Sequence, residues 1–370
     1  MIGLKAWNPR IIEIFDGVFS QKAWSPPGVS LIAARSMWPT TRGKDTVVAV
    51  VDTGIDYTHP DLKANVIGGQ SFVPGEPDYM DENGHGTHVA GTIAANGQIL
   101  GVAPEAKILA VKVLNKDGMG GYLNINLGLA WARKWKGKNG EKVNVINMSL
   151  GGAIGDNALH QELIKVVEAG ITVVCAAGNS GDGNPDTDEI SYPAYYPETL
   201  AVGAIDLQTG IANFSNSNDR IDIVAPGVET YSTYPGNRYV KLSGTSMAAP
   251  QISGAVALIY SRYKIRFNHY PSPETVRSMV HYQAIDLGQA GFDTLYGFGM
   301  FSFNLDGGKA IKLFLDQQQY YVNKDKRFIK TAPFAHEGEA CCAIPELAEI
   351  LGVNTDKSSV NGVLELDLWK

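Results

Sequence analysis

Four short stretches, each rich in small residues, present a group able to do acid–base or nucleophilic chemistry. In Val50-Val51-Asp52-Thr53-Gly54-Ile55-Asp56 a carboxylate closes an apolar run. That is where an open α/β sheet presents its functional groups, although an Asp capping a turn has the same look. In Asn83-Gly84-His85-Gly86-Thr87-His88-Val89 an imidazole stands between two glycines, with room for a substrate backbone to approach. His85 and His88 also invite a metal reading, but a helical zinc pair needs i, i+4 spacing with a Glu between, and here the spacing is i, i+3 with no acid. His85 is therefore read as the reactive imidazole and His88 as a packed, hydrogen-bonded core histidine. In Leu242-Ser243-Gly244-Thr245-Ser246-Met247-Ala248-Ala249-Pro250 a serine opens an apolar helix. The helix dipole and free amides there favour negative charge, such as an oxyanion forming beside a serine nucleophile. A plain N-cap serine is the alternative, but a cap does not require small neighbours on both sides. In Cys175-Ala176-Ala177-Gly178-Asn179-Ser180-Gly181 a run ends in small residues and an Asn. Its side-chain amide can donate to a tetrahedral oxyanion, a contact worth about 2.7–4 kcal/mol; an Asn-Ser-Gly turn is the other use of the pattern.

The elements that must position these groups are legible as runs. Thr46–Val51, Ile108–Leu114, Val143–Asn147, Ile171–Val174, Leu200–Ala204 and Ile221–Ala225 are short and continuously apolar, as strands buried on both faces of a parallel sheet are. Between them Thr87–Ala95, Leu123–Trp135 and Ala158–Ala169 have helical length, with Gly170 as a C-terminal stop for the third. Further helices are expected near Met247–Tyr263 and at Pro273–Tyr282, the latter with Ser272 as N-cap and Pro273 at the first helical position. Strands alternating with helices imply βαβ units and a doubly wound α/β sheet. After about Gly308 polar residues accumulate, Ala343–Leu351 reads as a short helix stopped by Gly352, and Val363–Leu368 alternates like a half-exposed strand. The expected division is an N-terminal extension over 1–28, a large domain over 29–307 and a small α+β module over 308–370.

Taken together, the groups run Asp…His…Ser along the chain, an order distinct from that of chymotrypsin and of α/β-hydrolases. Asp52-Thr53-Gly54, His85-Gly86-Thr87-His88-Val89-Ala90-Gly91 and Gly244-Thr245-Ser246-Met247-Ala248-Ala249-Pro250 resemble the signatures of the subtilisin-like serine proteases, over about Val29 to Gly299. Val174-Cys175-Ala176-Ala177-Gly178-Asn179 is similar to the intracellular subtilisins in particular. The resemblance implies a three-layer fold with a mainly parallel sheet and a broad serine endopeptidase acting through an acyl-enzyme. Ser246 is then the nucleophile, His85 the general base and acid, Asp52 its orienting partner, and Asn179 with the Ser246 amide the oxyanion hole. It further implies that Ser149, Leu150 and Gly151 with Ala176, Ala177 and Gly178 wall the pocket for the residue before the scissile bond. Gly120, Gly121 and Tyr122 would pair with an extended peptide as an added strand.

Three features bear on cofactor and regulation. Asp61 matches a usual calcium ligand of the family, yet the loop Asn96-Gly97-Gln98-Ile99-Leu100 is shorter than the family's calcium loop, and calcium wants six to eight oxygens. Structural calcium is expected at Asp61 or near Tyr192–Glu198. Gln251 follows Pro250 where the family usually has His. Intracellular subtilisins carry a short N-terminal extension over the active site that is cut off on activation. Residues near 1–20, including Pro9–Phe15, are expected to mask the cleft here and to be autoprocessed. The module from 308 resembles the copper amine oxidase N-terminal-like domain, with no metal implied and an interaction or stability role.

The bulk properties fit this reading and exclude others. A chain of 370 residues, 44% hydrophobic and 19% charged, is globular and of a size that buries roughly three quarters of its unfolded surface. The net charge of −7, from 38 acidic and 31 basic residues, comes without a Lys/Arg cluster, so no nucleic-acid or anionic-lipid partner is expected. Cys175, Cys341 and Cys342 make no disulfide framework, since two are adjacent and the first lies in an apolar run. With no apolar leader and no stretch near the ~18 apolar residues of a membrane span, a cytoplasmic enzyme acting on protein or peptide substrates is expected.

Overall fold

The computed structural model describes residues 3–6, 13–16, 23–304, 311–313, 319–322, 325–328, 334–336, 339–343 and 363–365. Two compact units divide the chain, Met1–Phe303 and Asn304–Lys370. The described part of the expected N-terminal extension pairs with the large unit. β1 (Gly3–Ala6) and β2 (Glu13–Asp16) are strands of the large unit, because their backbone groups pair with it. The second boundary falls after Phe303 and not after 307.

A short helix α1 (Pro27–Leu31) leads into β3 (Val47–Asp52) and β4 (Val66–Ser71). Then follow α2 (His85–Ala94), β5 (Lys107–Lys112), β6 (Met119–Gly121) and α3 (Tyr122–Lys134). After these come β7 (Val145–Met148), β8 (Leu150–Gly151), α4 (Asn157–Glu168), β9 (Thr172–Ala176) and β10 (Leu200–Ile205). The unit closes with β11 (Ile223–Pro226), β12 (Thr230–Tyr234), β13 (Arg238–Leu242), α5 (Thr245–Phe267), α6 (Pro273–Tyr282), β14 (Ala284–Ile285) and β15 (Met300–Phe301).

Nine strands form the central sheet in the order β14-β15-β11-β10-β9-β7-β3-β5-β4. All neighbours are parallel except the β14–β15 pair at one edge. The expected strands are all present, and their unbroken apolar runs have the expected cause. Val48 and Val50 belong to one core cluster while Val47, Ala49 and Val51 belong to the other, on the opposite face. Helices α2 and α5 pack with the first cluster and α3 and α4 with the second, giving three layers. The chain leaves β3 toward β5 and β4 on one side and toward β7 and β9 on the other. The carboxyl end of β3 is thus the switch point of the sheet, the crevice where such sheets bind ligands.

Helix ends follow local chemistry. Asp156 caps α4 through the Leu159 amide, and Ser272 caps α6 through the Thr275 amide, with Pro273 at its start. Two features had no clear sequence signal: edge strand β4, which is only half buried, and the β12–β13 hairpin. That hairpin takes β2 as a third, antiparallel strand.

In the second unit the described residues form two three-stranded antiparallel sheets. One comprises β16 (Ile311–Leu313), β17 (Gln319–Val322) and β18 (Asp325–Phe328). The other comprises β19 (Phe334–His336), β20 (Glu339–Ala343) and β21 (Val363–Glu365). Of the helix expected at Ala343–Leu351, Ala343 ends β20 and the rest lies outside the described residues. The strand expected at Val363–Leu368 is described only through Glu365.

Candidate active site

Asp52 ends β3 and is fully buried. Its Oδ1 accepts the Thr53 amide at 2.7 Å and meets His85 Nδ1 at 2.7 Å. With a carboxylate on Nδ1, that nitrogen carries the proton and Nε2 is left as the acceptor. Among the described residues His85 Nε2 has no hydrogen-bond partner. His85 is the first residue of α2, whose start lies hard against the turn after β3. A Cβ on Gly86 would stand 2.1 Å from the Gly54 carbonyl, so only glycine lets the two approach. Burial disfavours the His85 imidazolium, but the charge and hydrogen bond of Asp52, with Asp81 adding, outweigh it and raise its pKa above the ordinary histidine value. His88 is the opposite case. Its Nε2 donates to the carbonyls of Thr230 and Val240 at 3.0 and 3.3 Å. Burial, with the neighbouring His85, pushes its pKa down to about 3. It is the neutral core histidine expected.

Ser246 is the second residue of α5 and is buried. Pro250 lies one turn later and has no N–H to give the Ser246 carbonyl. That carbonyl instead accepts Ser149 Oγ at 2.9 Å, while Ser246 Oγ donates to the Ser149 carbonyl at 3.0 Å. Ser149 is held in turn by Asn147 Nδ2 at 3.0 Å, and Asn147 Oδ1 by Ser253 Oγ at 2.8 Å. The hydroxyl thus rests on Ser149 and not on His85.

Asn179 follows β9. Its Oδ1 accepts the Thr245 amide at 2.9 Å and Thr245 Oγ1 at 2.8 Å. With the oxygen taken by two donors, Nδ2 is the free end, and it lies within 3.1 Å of where a Gly244 Cβ would stand. Ser149, Leu150 and Gly151 occupy the exit of β7 and β8, and Ala176, Ala177 and Gly178 the exit of the adjacent β9.

Gly120 and Gly121 belong to β6. Tyr122 does not, because it is the first residue of α3, and its hydroxyl donates to the Ile154 carbonyl. The residue that completes the strand is Met119, which the sequence reading did not single out. Between β6 and β8 lies β1, antiparallel to both, with Leu4 opposite Gly120 and Lys5 opposite Met119 and Gly151. Leu4 is 1% exposed and joins the core cluster of Leu114, Ile125 and Leu150.

A model of the Subtilase family matches residues 43–299 of the chain. The chain belongs to the subtilase family. It is 50% identical over 242 residues to an intracellular serine protease of Paenibacillus polymyxa, covering 63% of this chain and 72% of that one. It is also 50% identical over 245 residues to the major intracellular serine protease of Bacillus subtilis, covering 64% and 75%. Subtilisin DY of Bacillus licheniformis is 45% identical over 280 residues, covering 74% and 96%. As a subtilase the chain is a serine endopeptidase of the Asp-His-Ser type.

Subtilases generally bind calcium; at Asp61, the residue expected to contribute, the carboxylate is bonded by protein donors. Its Oδ1 accepts the Gln98 amide at 2.8 Å, and its Oδ2 accepts the Ile99 amide at 2.9 Å and the Tyr239 hydroxyl at 3.0 Å. A Cβ on Gly97 would stand 2.0 Å from Oδ1. The shortened loop thus supplies N–H donors where a calcium loop supplies carbonyls. At the second expected location Glu198 pairs with His160 at 2.9 Å, and the Pro197 carbonyl accepts Arg277 Nη1 at 2.5 Å. Among the described residues no group of three or more His, Cys, Asp or Glu could hold a metal.

Other residues that support this region escaped the sequence reading. Lys112 is buried beneath the Asp52 turn, where Nζ donates to the Thr53 carbonyl at 2.5 Å and pairs with Glu76 at 3.0 Å. Thr233 Oγ1 and Ser232 Oγ hold the Thr87 and His88 carbonyls at 2.8 and 2.7 Å, docking α2 on β12. Both sit in a hairpin without a distinctive pattern. No helix among the described residues is long and apolar enough to cross a membrane.

Proposed function

We propose that this chain is a broad-specificity endopeptidase kept silent by its own first residues, with Asp52, His85, Ser246 and Asn179 as its catalytic groups. The observation that carries the regulatory half is β1. An extended segment of the chain fills the gap between β6 and β8 through main-chain pairing on both sides, as an added strand does. Because recognition runs through backbone groups, any extended peptide competes for the same edges, and broad specificity follows. Burying Leu4 contributes about 1.5–3 kcal/mol to holding the strand. Strand β2 anchors the segment a second time on β13, next to α5 in the chain.

In the reaction Ser246 Oγ turns from the Ser149 carbonyl, gives its proton to His85 Nε2 and attacks the scissile carbonyl. His85 then passes that proton to the departing amine. Asp52 keeps the proton on Nδ1 and stabilises the imidazolium. The oxyanion is met by Asn179 Nδ2 and the Ser246 amide at the start of α5. Water reverses the sequence and frees the acid product. Subsites on either side of Ser246 are assigned to Ser149–Gly151, Ala176–Gly178 and Met119–Gly121. The similarity to two intracellular serine proteases supports a cytoplasmic enzyme, and residues 308–370 are assigned an interaction or stability role.

Peptide hydrolysis by the full chain, by a Leu4→Asp variant and by a chain beginning at Ser25 tests this. The shortened chain is expected to be faster by tenfold or more and the variant to fall between. Equal rates for all three overturn the silencing. Labelling of Ser246 by a fluorophosphonate, absent in Ser246→Ala, tests the nucleophile separately.

A further inference from the structure

A second carboxylate lies behind the triad. Asp81 is 3% exposed, and both its oxygens are enclosed by protein donors. Oδ1 accepts Thr53 Oγ1 at 2.9 Å, the Asn83 amide at 3.0 Å and the Gly84 amide at 2.8 Å. Oδ2 accepts the Thr87 amide at 2.9 Å and Thr87 Oγ1 at 2.6 Å. The N-cap of α2 is Gly84, at φ +107°, which has no side chain to offer. Asp81 therefore does from three residues upstream what an N-cap side chain does, taking the amide of the third helical residue.

The same carboxylate reaches the other half of the dyad. Thr53 follows Asp52 directly, and its Oγ1 both donates to Asp81 and accepts the Gly86 amide at 2.9 Å. Thr87 Oγ1, bound to Asp81 on one side, accepts the Asp56 amide at 2.9 Å on the other. The turn after β3 and the first turn of α2 are thus tied through one buried anion. A fixed 2.7 Å contact between Asp52 and His85 needs those two backbones held against each other, and Asp81 orients both hydroxyls, Thr53 Oγ1 and Thr87 Oγ1, that bond across from one to the other.

We propose that Asp81 is a positioning residue for the triad, fixing the His85 helix on the Asp52–Thr53 turn and supplying a second negative charge behind the imidazole. This rests on the assignment of His85 as general base. The charged groups around His85 are Asp52 at the end of β3, Asp81 before α2, and the Lys112–Glu76 pair under the turn; His88 on its own helix stays neutral. On the β12 side stands Tyr234, whose hydroxyl donates to the Asn83 carbonyl at 2.9 Å.

The test is steady-state hydrolysis of a peptide anilide by the full chain and by Asp81→Asn, Thr53→Val and Thr53→Ser, with thermal unfolding recorded for each. Turnover by the parent chain establishes the endopeptidase reading independently of the outcome for Asp81. Asp81→Asn is expected to lower kcat tenfold or more with KM within about twofold. It is also expected to move the acid limb of kcat/KM to lower pH by about half a pH unit, since a lost negative charge disfavours the imidazolium. Thr53→Val is expected to lower kcat similarly and leave that limb in place, and Thr53→Ser, which keeps the hydroxyl, to restore kcat. A folded Asp81→Asn with kcat within twofold of the parent and an unmoved acid limb overturns the proposal, whatever its melting temperature. If Asp81→Asn does not fold, the threonine pair decides: equal kcat for Val and Ser overturns it.

Discussion

His85 and Asn179 are each held at one end so that the other is free. Asp52 takes Nδ1 of the imidazole, and the Thr245 amide and hydroxyl take Oδ1 of the asparagine. Truncating Asn179→Ala is therefore expected to lower kcat by 10² to 10³, the order known for losing such a donor in subtilisin, with KM nearly unchanged. A kcat/KM split measured on a peptide anilide checks it. The raised pKa of His85 has two consequences of opposite sign. Its pairing with Asp52 contributes stability in full below the unfolded pKa, and that contribution is lost as pH rises through the folded one. Catalysis needs the neutral base, so kcat/KM is expected to climb over the same interval, with its acid limb above about 6.5. A pH–rate profile set beside a pH–stability profile checks both directions.

Among the elements, the loop after α2 shows how chain length changes chemistry. The loop 96–100 closes on Asp61 with two amides, and Tyr239 adds a hydroxyl. Three protein donors thus satisfy a buried carboxylate. Asp61→Asn, which turns a donor toward those donors, is expected to destabilise the fold by about 2 kcal/mol or more. Removing metal with a chelator is expected to leave the Gln98 and Ile99 amides as protected from hydrogen exchange as before. Chemical denaturation and amide exchange read these out. The helix start of α5 shows a related economy. Pro250 removes a donor within the helix, and the Ser246 carbonyl it leaves unpaired is taken by Ser149 from the neighbouring wall of the cleft.

For the molecule as a whole, the family match over 43–299 ends close to the end of the compact unit at Phe303. The described members of the two cores that sandwich the sheet lie within that unit. A chain ending at Phe303 is accordingly expected to keep peptidase activity within about twofold of the full chain, measured on the same anilide. The described residues of the expected N-terminal extension add strands to sheets that the large unit builds.

The sequence by itself determined whatever is written in contiguous residues. The doubly wound sheet was legible because strands buried on both faces need unbroken apolar runs, and Val47–Val51 is one. The candidate reactive groups stood out through their neighbours, as His85 does between Gly84 and Gly86. Tertiary structure alone decided which hydrogen-bond partner each polar group takes. Nothing near Ser246 in the chain announces Ser149, nothing near Asp61 announces Tyr239, and nothing near Leu4 announces Gly120. Asp81, four residues before His85, is likewise not announced as the partner of the Thr87 amide or of Thr53. Such pairings join groups far apart in sequence, and main-chain pairing imposes no side-chain pattern, so only the folded backbone brings the donors and acceptors within reach of one another.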